Sequence, residues 1–247
     1  MATQAGIYVY AVISGPGTVE YGAIGLGGAE VYRIESDGLS AVVSKTEQTR
    51  LRPERRNVAA HTAVLRKSLD ESGVLPMAFG LIADSDQAVR ELLNRNRKAL
   101  REQLERVAGK LEMGLRVQYD LPNVFEYFVN THPALREARD AIGDIRHANH
   151  GDMLALGQLF DRTLNEERET LYGRVRVVLE RHGIGIKRND PRNEREVMHL
   201  ACLIPREMQS NFEGIVGEAA TSFDNHYTFD INGPWAPHNF VELNLKA

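Results

Sequence analysis

Gly6-Ile7-Tyr8-Val9-Tyr10-Ala11-Val12-Ile13 runs for eight residues without a charged side chain. Ile7, Val9, Ala11 and Ile13 alternate with Tyr8, Tyr10 and Val12, so both faces are apolar. That pattern predicts a central strand and argues against an edge. Ser14-Gly15-Pro16-Gly17 ends it, and Gly22 to Gly28 form a glycine-rich loop. Val31–Glu35 and Leu39–Ser44 then read as short strands about a Ser36-Asp37-Gly38 hairpin turn. A helix is expected from Pro53, with Val58, Thr62, Leu65 and Leu69 on its inner face and Gly73 beyond its end. Val74 to Ile82 reads as buried and extended, with Pro76 favouring an edge or bulge. A second helix, capped by Asp84 or Ser85, carries the stripe Val89, Leu92, Leu93, Asn96, Leu100, Leu104 and Val107.

Downstream, Met113, Leu115, Val117 and Tyr119 alternate as a strand. A short helix follows near Val124–Asn130, then a polar, irregular stretch from Thr131 to Gly151 with a helical turn near Ala134–Ala141. From Asp152 a long helix shows Met153, Leu156, Phe160, Leu164, Leu171, Val175, Val178 and Leu179 on one side. Its length leaves room for a kink. Strands are expected over Gly183–Lys187 and Val197–Ile204, and a helix from Pro205 with Met208, Phe212, Ile215, Ala219 and Phe223 on one face. Tyr227, Phe229 and Ile231 close the pattern. The order is β–α–β–β–α–β, the split βαβ arrangement. The predicted class is therefore α+β with two domains. Residues 1–110 form an N-terminal domain of mixed strands and two helices, 111–232 a ferredoxin-like domain, and 233–247 a tail docking through Trp235 and Phe240.

Composition bounds the chemistry. Of 247 residues, 43% are hydrophobic and 26% charged, with a net charge of −4 and a pI near 6.1, which excludes bulk disorder and a basic nucleic-acid footprint. One cysteine, Cys202, excludes an internal disulfide framework and a multi-thiolate metal site. No apolar run reaches the ~20 residues that span a bilayer, and the first residues lack the positive charge of a secretory signal. The expectation is a soluble cytoplasmic protein.

Candidate reactive features each meet a plainer reading. The glycines at 22, 25, 27 and 28 lack dinucleotide spacing and precede a strand, so they read as a connector. His147, His150 and Asp152 lie in a loop without the i, i+4 helical spacing of zinc ligands, and Asp152 reads as a cap. His61 has no carboxylate or nucleophile beside it in sequence and reads as a partly buried, satisfied histidine. Cys202 lies in an apolar strand, where a thiol packs as a small hydrophobe. Arg50, Arg52, Arg55 and Arg56 are interrupted by Glu47 and Glu54 and read as a solvated helix start. The cluster Arg90, Arg95, Arg97, Lys98 and Arg101 alternates with glutamates on an exposed face. No catalytic, cofactor or metal residue is predicted. Apolar secondary structure in excess of catalytic apparatus points to surfaces that cover each other, or to strand addition or helix-in-groove docking of a hydrophobic partner.

Three segments together resemble a known family, the gas vesicle F/L proteins. They are Gly6-Ile-Tyr-Val-Tyr-Ala-Val-Ile, Val74-Leu-Pro-Met-Ala-Phe-Gly-Leu-Ile and Gly233-Pro-Trp-Ala-Pro-His-Asn-Phe-Val. His61 with Val64-Leu65, Leu156-Gly-Gln-Leu and Ala201-Cys-Leu-Ile-Pro-Arg-Glu support the likeness, which runs from about 6 to 243 and is nearer the F type. The sequence departs from the usual family residues at Ala78, Leu81, Met113 and His238. The resemblance marks His61, Leu75, Pro76, Phe79, Gly80, Gly233, Pro234, Trp235, Pro237 and Phe240 as structural or partner-binding positions. It implies an accessory protein and minor vesicle component in the cytoplasm, without a cofactor and without nucleic-acid or lipid-membrane partners. Its implied partners are the hydrophobic shell protein, kept from aggregating before assembly, and, as a further expectation, other vesicle accessory proteins. Covering ~1,000 Å² of apolar shell surface at roughly 25 cal/mol per Å² leaves a strong contact after association costs. The competing expectation is a small-molecule-binding regulator with a ferredoxin-like domain; a hydrolase built on His61 ranks last.

Overall fold

Strand β1 (Gly6–Ser14) is buried along almost its whole length. It lies inside a sheet of order β2-β3-β1-β4, where β2 is Val31–Ser36, β3 Leu39–Thr46 and β4 Val74–Pro76; β5 (Ile82–Ala83) also pairs with β1. The pairings are antiparallel. Its two faces differ from simple alternation. The register slips between Val9 and Ala11, a bulge at Tyr10. Ile7, Val9 and Val12 therefore serve one core, and Tyr8, Tyr10, Ala11 and Ile13 the other. One extra residue in a strand reverses the facing of all that follow, which the sequence pattern does not display.

The structure, a computed structural model, describes residues 6–71, 73–143 and 149–245. It divides into two units: Met1–Met113 with Leu203–Gln209 and Gly233–Ala247, and Gly114–Cys202 with Ser210–Asn232.

In the first unit, β2 and β3 turn through Asp37 (φ 49°) and Gly38 (φ 76°), the positive-φ pair of a tight two-residue hairpin loop. Helix α1 (Arg55–Ser68) begins two residues after Pro53 and buries His61, Val64, Leu65 and Ser68. Val58, expected on the inner face, is instead 40% exposed. The second predicted helix is two, α2 (Asp86–Arg95) and α3 (Arg97–Val107), broken at Asn96 (φ −104°, ψ 8°). The apolar stripe nevertheless continues through the break as Val89, Leu93, Leu100, Leu104 and Val107. Ser85 caps α2, its Oγ accepting from the Ala88 N–H at 3.2 Å.

The second sheet has the order β7-β8-β6-β9, formed by β6 (Lys110–Tyr119), β7 (Gly185–Asn189), β8 (Glu196–Pro205) and β9 (Tyr227–Trp235). Between β6 and β7 lie α4 (Val124–Thr131), α5 (Pro133–Ile142) and α6 (His150–Arg181); α7 (Phe212–Ala220) separates β8 from β9. The helical turn expected near Ala134–Ala141 is a full helix, α5, while residues 144–148, His147 among them, lie outside the described residues. Helix α6 is a single run of 32 residues, about 48 Å long. Asn149 caps it in place of Asp152: its Oδ1 accepts from the Asp152 N–H at 2.9 Å and its Nδ2 donates to that carboxylate at 2.5 Å. Arg168, an unexpected member of the buried face, donates to the carbonyls of Asn193 and Glu194 at 2.8 and 3.3 Å. Pro205 closes β8; a 3₁₀ turn, Arg206–Asn211, precedes α7, so Met208 lies outside that helix.

Candidate functional site

The three family-like segments meet around His61 of α1. Its Nδ1 lies 2.9 Å from the Tyr8 hydroxyl, which also accepts from the Gly80 N–H at 3.1 Å. Phe79 sets its ring edge-on to both, at 6.1 Å from Tyr8 and 5.7 Å from His61. Tyr10 packs against Tyr8 at 4.7 Å, shares a 2.8 Å bond with Ser44, and accepts from the Leu26 N–H at 2.8 Å. That last bond ties the glycine-rich loop to the sheet. Burial, helped by neighbouring His238, pushes the His61 imidazole down to about 4. Burial also pushes the Tyr8 phenol up to about 12. Near neutral pH both are therefore uncharged, and the cluster acts as a fastener of β1, α1 and the Phe79-Gly80 turn.

The other predicted positions spread from this knot. Leu75 and Pro76 are buried in β4, Pro76 opposite Ala11. Gly233 (φ 119°) begins a cis Gly233-Pro234 bond, and a Cβ at Gly233 would meet the Glu112 carbonyl and the Met113 sulfur at 3.0 Å. Trp235 lies under Arg66, whose guanidinium carbon is 5.4 Å from the ring centroid. Pro237 and Phe240 are buried. Of the four departures from the family pattern, Ala78 and His238 are exposed, Leu81 is half-buried and Met113 is buried. Among the described residues, no three His, Cys, Asp or Glu side chains assemble in a metal-holding group. No described helix is long and apolar enough to cross a membrane.

Pro234 and Trp235 join residues that the sequence did not mark as a site in an open groove of about 770 Å³ along α1. Ala59, Thr62 and Ala63 give that helix a low surface, and Ile24, Leu69, Leu111, Pro234 and Trp235 supply apolar walls. Arg66, Lys67, Asp70 and Arg206 form the rim. Two of these cations are held in place by main-chain carbonyls: Lys67 donates to Tyr21 at 3.0 Å, and Arg206 to Leu69 and, at 3.2 Å, to Glu71. Residues 45–70 carry seven basic and three acidic side chains in a chain whose net charge is −4. The outward run of small residues in α1 was a readable signal, but the walls come from segments far apart in sequence. Such a surface suits the apolar face of a helix flanked by acidic residues.

Residues 6–242 match the family model described as gas vesicle synthesis protein GvpL/GvpF. The chain belongs to this family. Relatives include gas vesicle protein F of Nostoc sp., 25% identical over 98% of this chain and 100% of that protein. Gas vesicle protein F of Haloferax mediterranei is 26% identical over 98% of this chain and 95% of its own length. Gas vesicle protein L of Streptomyces sp. is 24% identical over 98% and 95%. The crystal structure of GvpF from Anabaena sp. superposes with a TM-score of 0.84 at 25% identity, covering 97% of this chain and 99% of that one. That of GvpF from Microcystis aeruginosa gives 0.79 at 22% identity, covering 96% and 99%, and supports the fold. GvpL/GvpF membership places the chain among gas vesicle proteins and agrees with a mixed α+β fold of two sheets.

Proposed function

We propose that this protein is an accessory component of gas vesicle formation that binds the hydrophobic shell protein in the cytoplasm and holds it soluble until assembly. The groove along α1 carries the reading: it offers apolar walls over small helix residues, and its basic rim steers an acidic-flanked amphipathic helix. Family membership supplies the setting. The protein works by covering surface, with other vesicle proteins as further partners, and forms or breaks no covalent bond. The strand order β7-β8-β6-β9, with α6 and α7 as crossovers, supports a ferredoxin-like second domain as its scaffold.

The test dilutes denatured shell subunit into buffer with an equimolar amount of this protein and follows light scattering. Wild type is expected to delay aggregation. Ala63→Arg, which fills the groove from an exposed position, is expected to abolish the delay at unchanged melting temperature. Absence of any delay with wild type would overturn the proposal, and full protection by Ala63→Arg would remove the groove from it.

A further inference from the structure

Past Phe240 the chain alternates: Val241, Leu243 and Leu245 are half-buried, Glu242 and Asn244 exposed. The three apolar residues pack on the core of the first unit that also carries Tyr32, Leu81 and Ala83. This is strand-like side-chain periodicity, yet residues 241–245 belong to no strand. One main-chain bond among them runs from the Glu242 N–H to the Gln103 Oε1, at 3.2 Å. Just before them the attachment is of another kind. Asn239 donates from its backbone at 2.9 Å and from Nδ2 at 2.7 Å to the carboxylate of Glu112, which is 6% exposed, and Phe240 is buried beside it.

A firm anchor is thus followed by a short stretch whose side chains are half-buried at every second position. Because residues 241–245 form no strand, releasing them gives up that burial without breaking a strand ladder, and they open locally. The surface beneath has a shape the tail itself reports: it accepts an extended chain with apolar side chains two residues apart.

We infer that residues 241–245 are a displaceable strap over a second docking surface, one that takes an extended partner segment with alternating apolar side chains. The inference rests on the proposed chaperone role only for who brings the segment, the shell protein. With the strap in place this strip is shielded from adventitious strand pairing and aggregation; a client segment at high local concentration replaces it.

The experiment uses a labelled peptide, Val-Glu-Leu-Asn-Leu, and fluorescence anisotropy with three proteins: the full chain, a chain ending at Phe240, and the full chain carrying Leu243→Ser with Leu245→Ser. The shortened chain and the double variant are expected to bind saturably. The full chain should bind at least about tenfold more weakly, because its tethered strap competes. A peptide of the same composition ordered Leu-Leu-Val-Glu-Asn should not bind. Equal affinity for all three proteins, equal affinity for the reordered peptide, or no binding by the double variant would overturn the inference. So would loss of the cooperative melt in both altered chains, since the strap would then be integral to the core. Peptide binding without improved protection of the shell subunit would leave the strap standing and count against the shell protein as its client.

Discussion

His61 shows how much one side chain can say about the conditions the fold tolerates. Its imidazole is 5% exposed and titrates near 4, below the ordinary 6.5. The folded state therefore disfavours the charged ring. Its stabilising contribution is complete above pH 6.5 and is lost as pH falls from 6.5 towards 4. The loss is at most about 3 kcal/mol, and for a chain of this size each kcal/mol lowers the melting temperature by roughly 2–4 °C. His61→Gln is expected to flatten the melting temperature between pH 6.5 and 4.5 while leaving shell-subunit protection intact. Thermal melts across that range check it; an unchanged acid slope would show that the proton goes elsewhere. His238 shifts in the same direction and, being more exposed, is expected to carry less of the effect. The sequence discloses that His61 is a partly buried, satisfied histidine. It does not disclose the Tyr8 hydroxyl beside it, which sits 53 residues earlier.

Among the elements, β6 and β8 are joined by a buried charge. Arg116 Nε lies 2.9 Å from Glu196, whose side chain is only 2% exposed and also accepts from the Arg192 N–H at 2.6 Å. Arg116→Ala strands that carboxylate in the interior and is expected to cost about 3 kcal/mol. Adding Glu196→Gln should recover much of it. Urea titrations read both as shifts in midpoint at constant slope. Elements with unbroken apolar periodicity were legible from the sequence: β1, the hairpin of β2 and β3, α6 and β8. What escaped was local geometry that leaves the periodicity untouched. Asn96 ends α2 without disturbing a stripe that resumes in phase, its Nδ2 donating to the Leu92 carbonyl at 2.8 Å. Asn149 takes the capping role three residues ahead of the acid that advertised itself, because its short side chain reaches the Asp152 N–H directly. The bulge at Tyr10 is likewise silent, since both faces of β1 are apolar and a reversal of facing changes no residue class.

For the molecule as a whole, the basic segment 45–70 is set in a chain of net charge −4, so the field around α1 is of opposite sign to the average. The proposed capture of the shell subunit is therefore expected to be electrostatically steered. Raising NaCl from 0.05 to 0.5 M should slow association several-fold and change dissociation little, because screening acts on the approach and burial on the bound state. Stopped-flow mixing of labelled shell subunit with this protein separates the two rates. An association rate indifferent to salt would assign the rim no role. The family itself was legible because its residues cluster in three contiguous segments. The groove was not, since Ile24, Leu111 and Trp235 come together only once the chain has folded.

The first unit includes Gly233–Ala247 as well as β1, more than two hundred residues earlier in the chain. A nascent chain leaving the ribosome therefore exposes β1, with apolar residues on both sides, long before Ala236 arrives to complete one of the cores around it. Residues 114–202 meanwhile emerge and can form their helices first. The protein that is proposed to shield another polypeptide's sticky intermediates passes through such an intermediate itself, and a chain ended near residue 230 would leave it there.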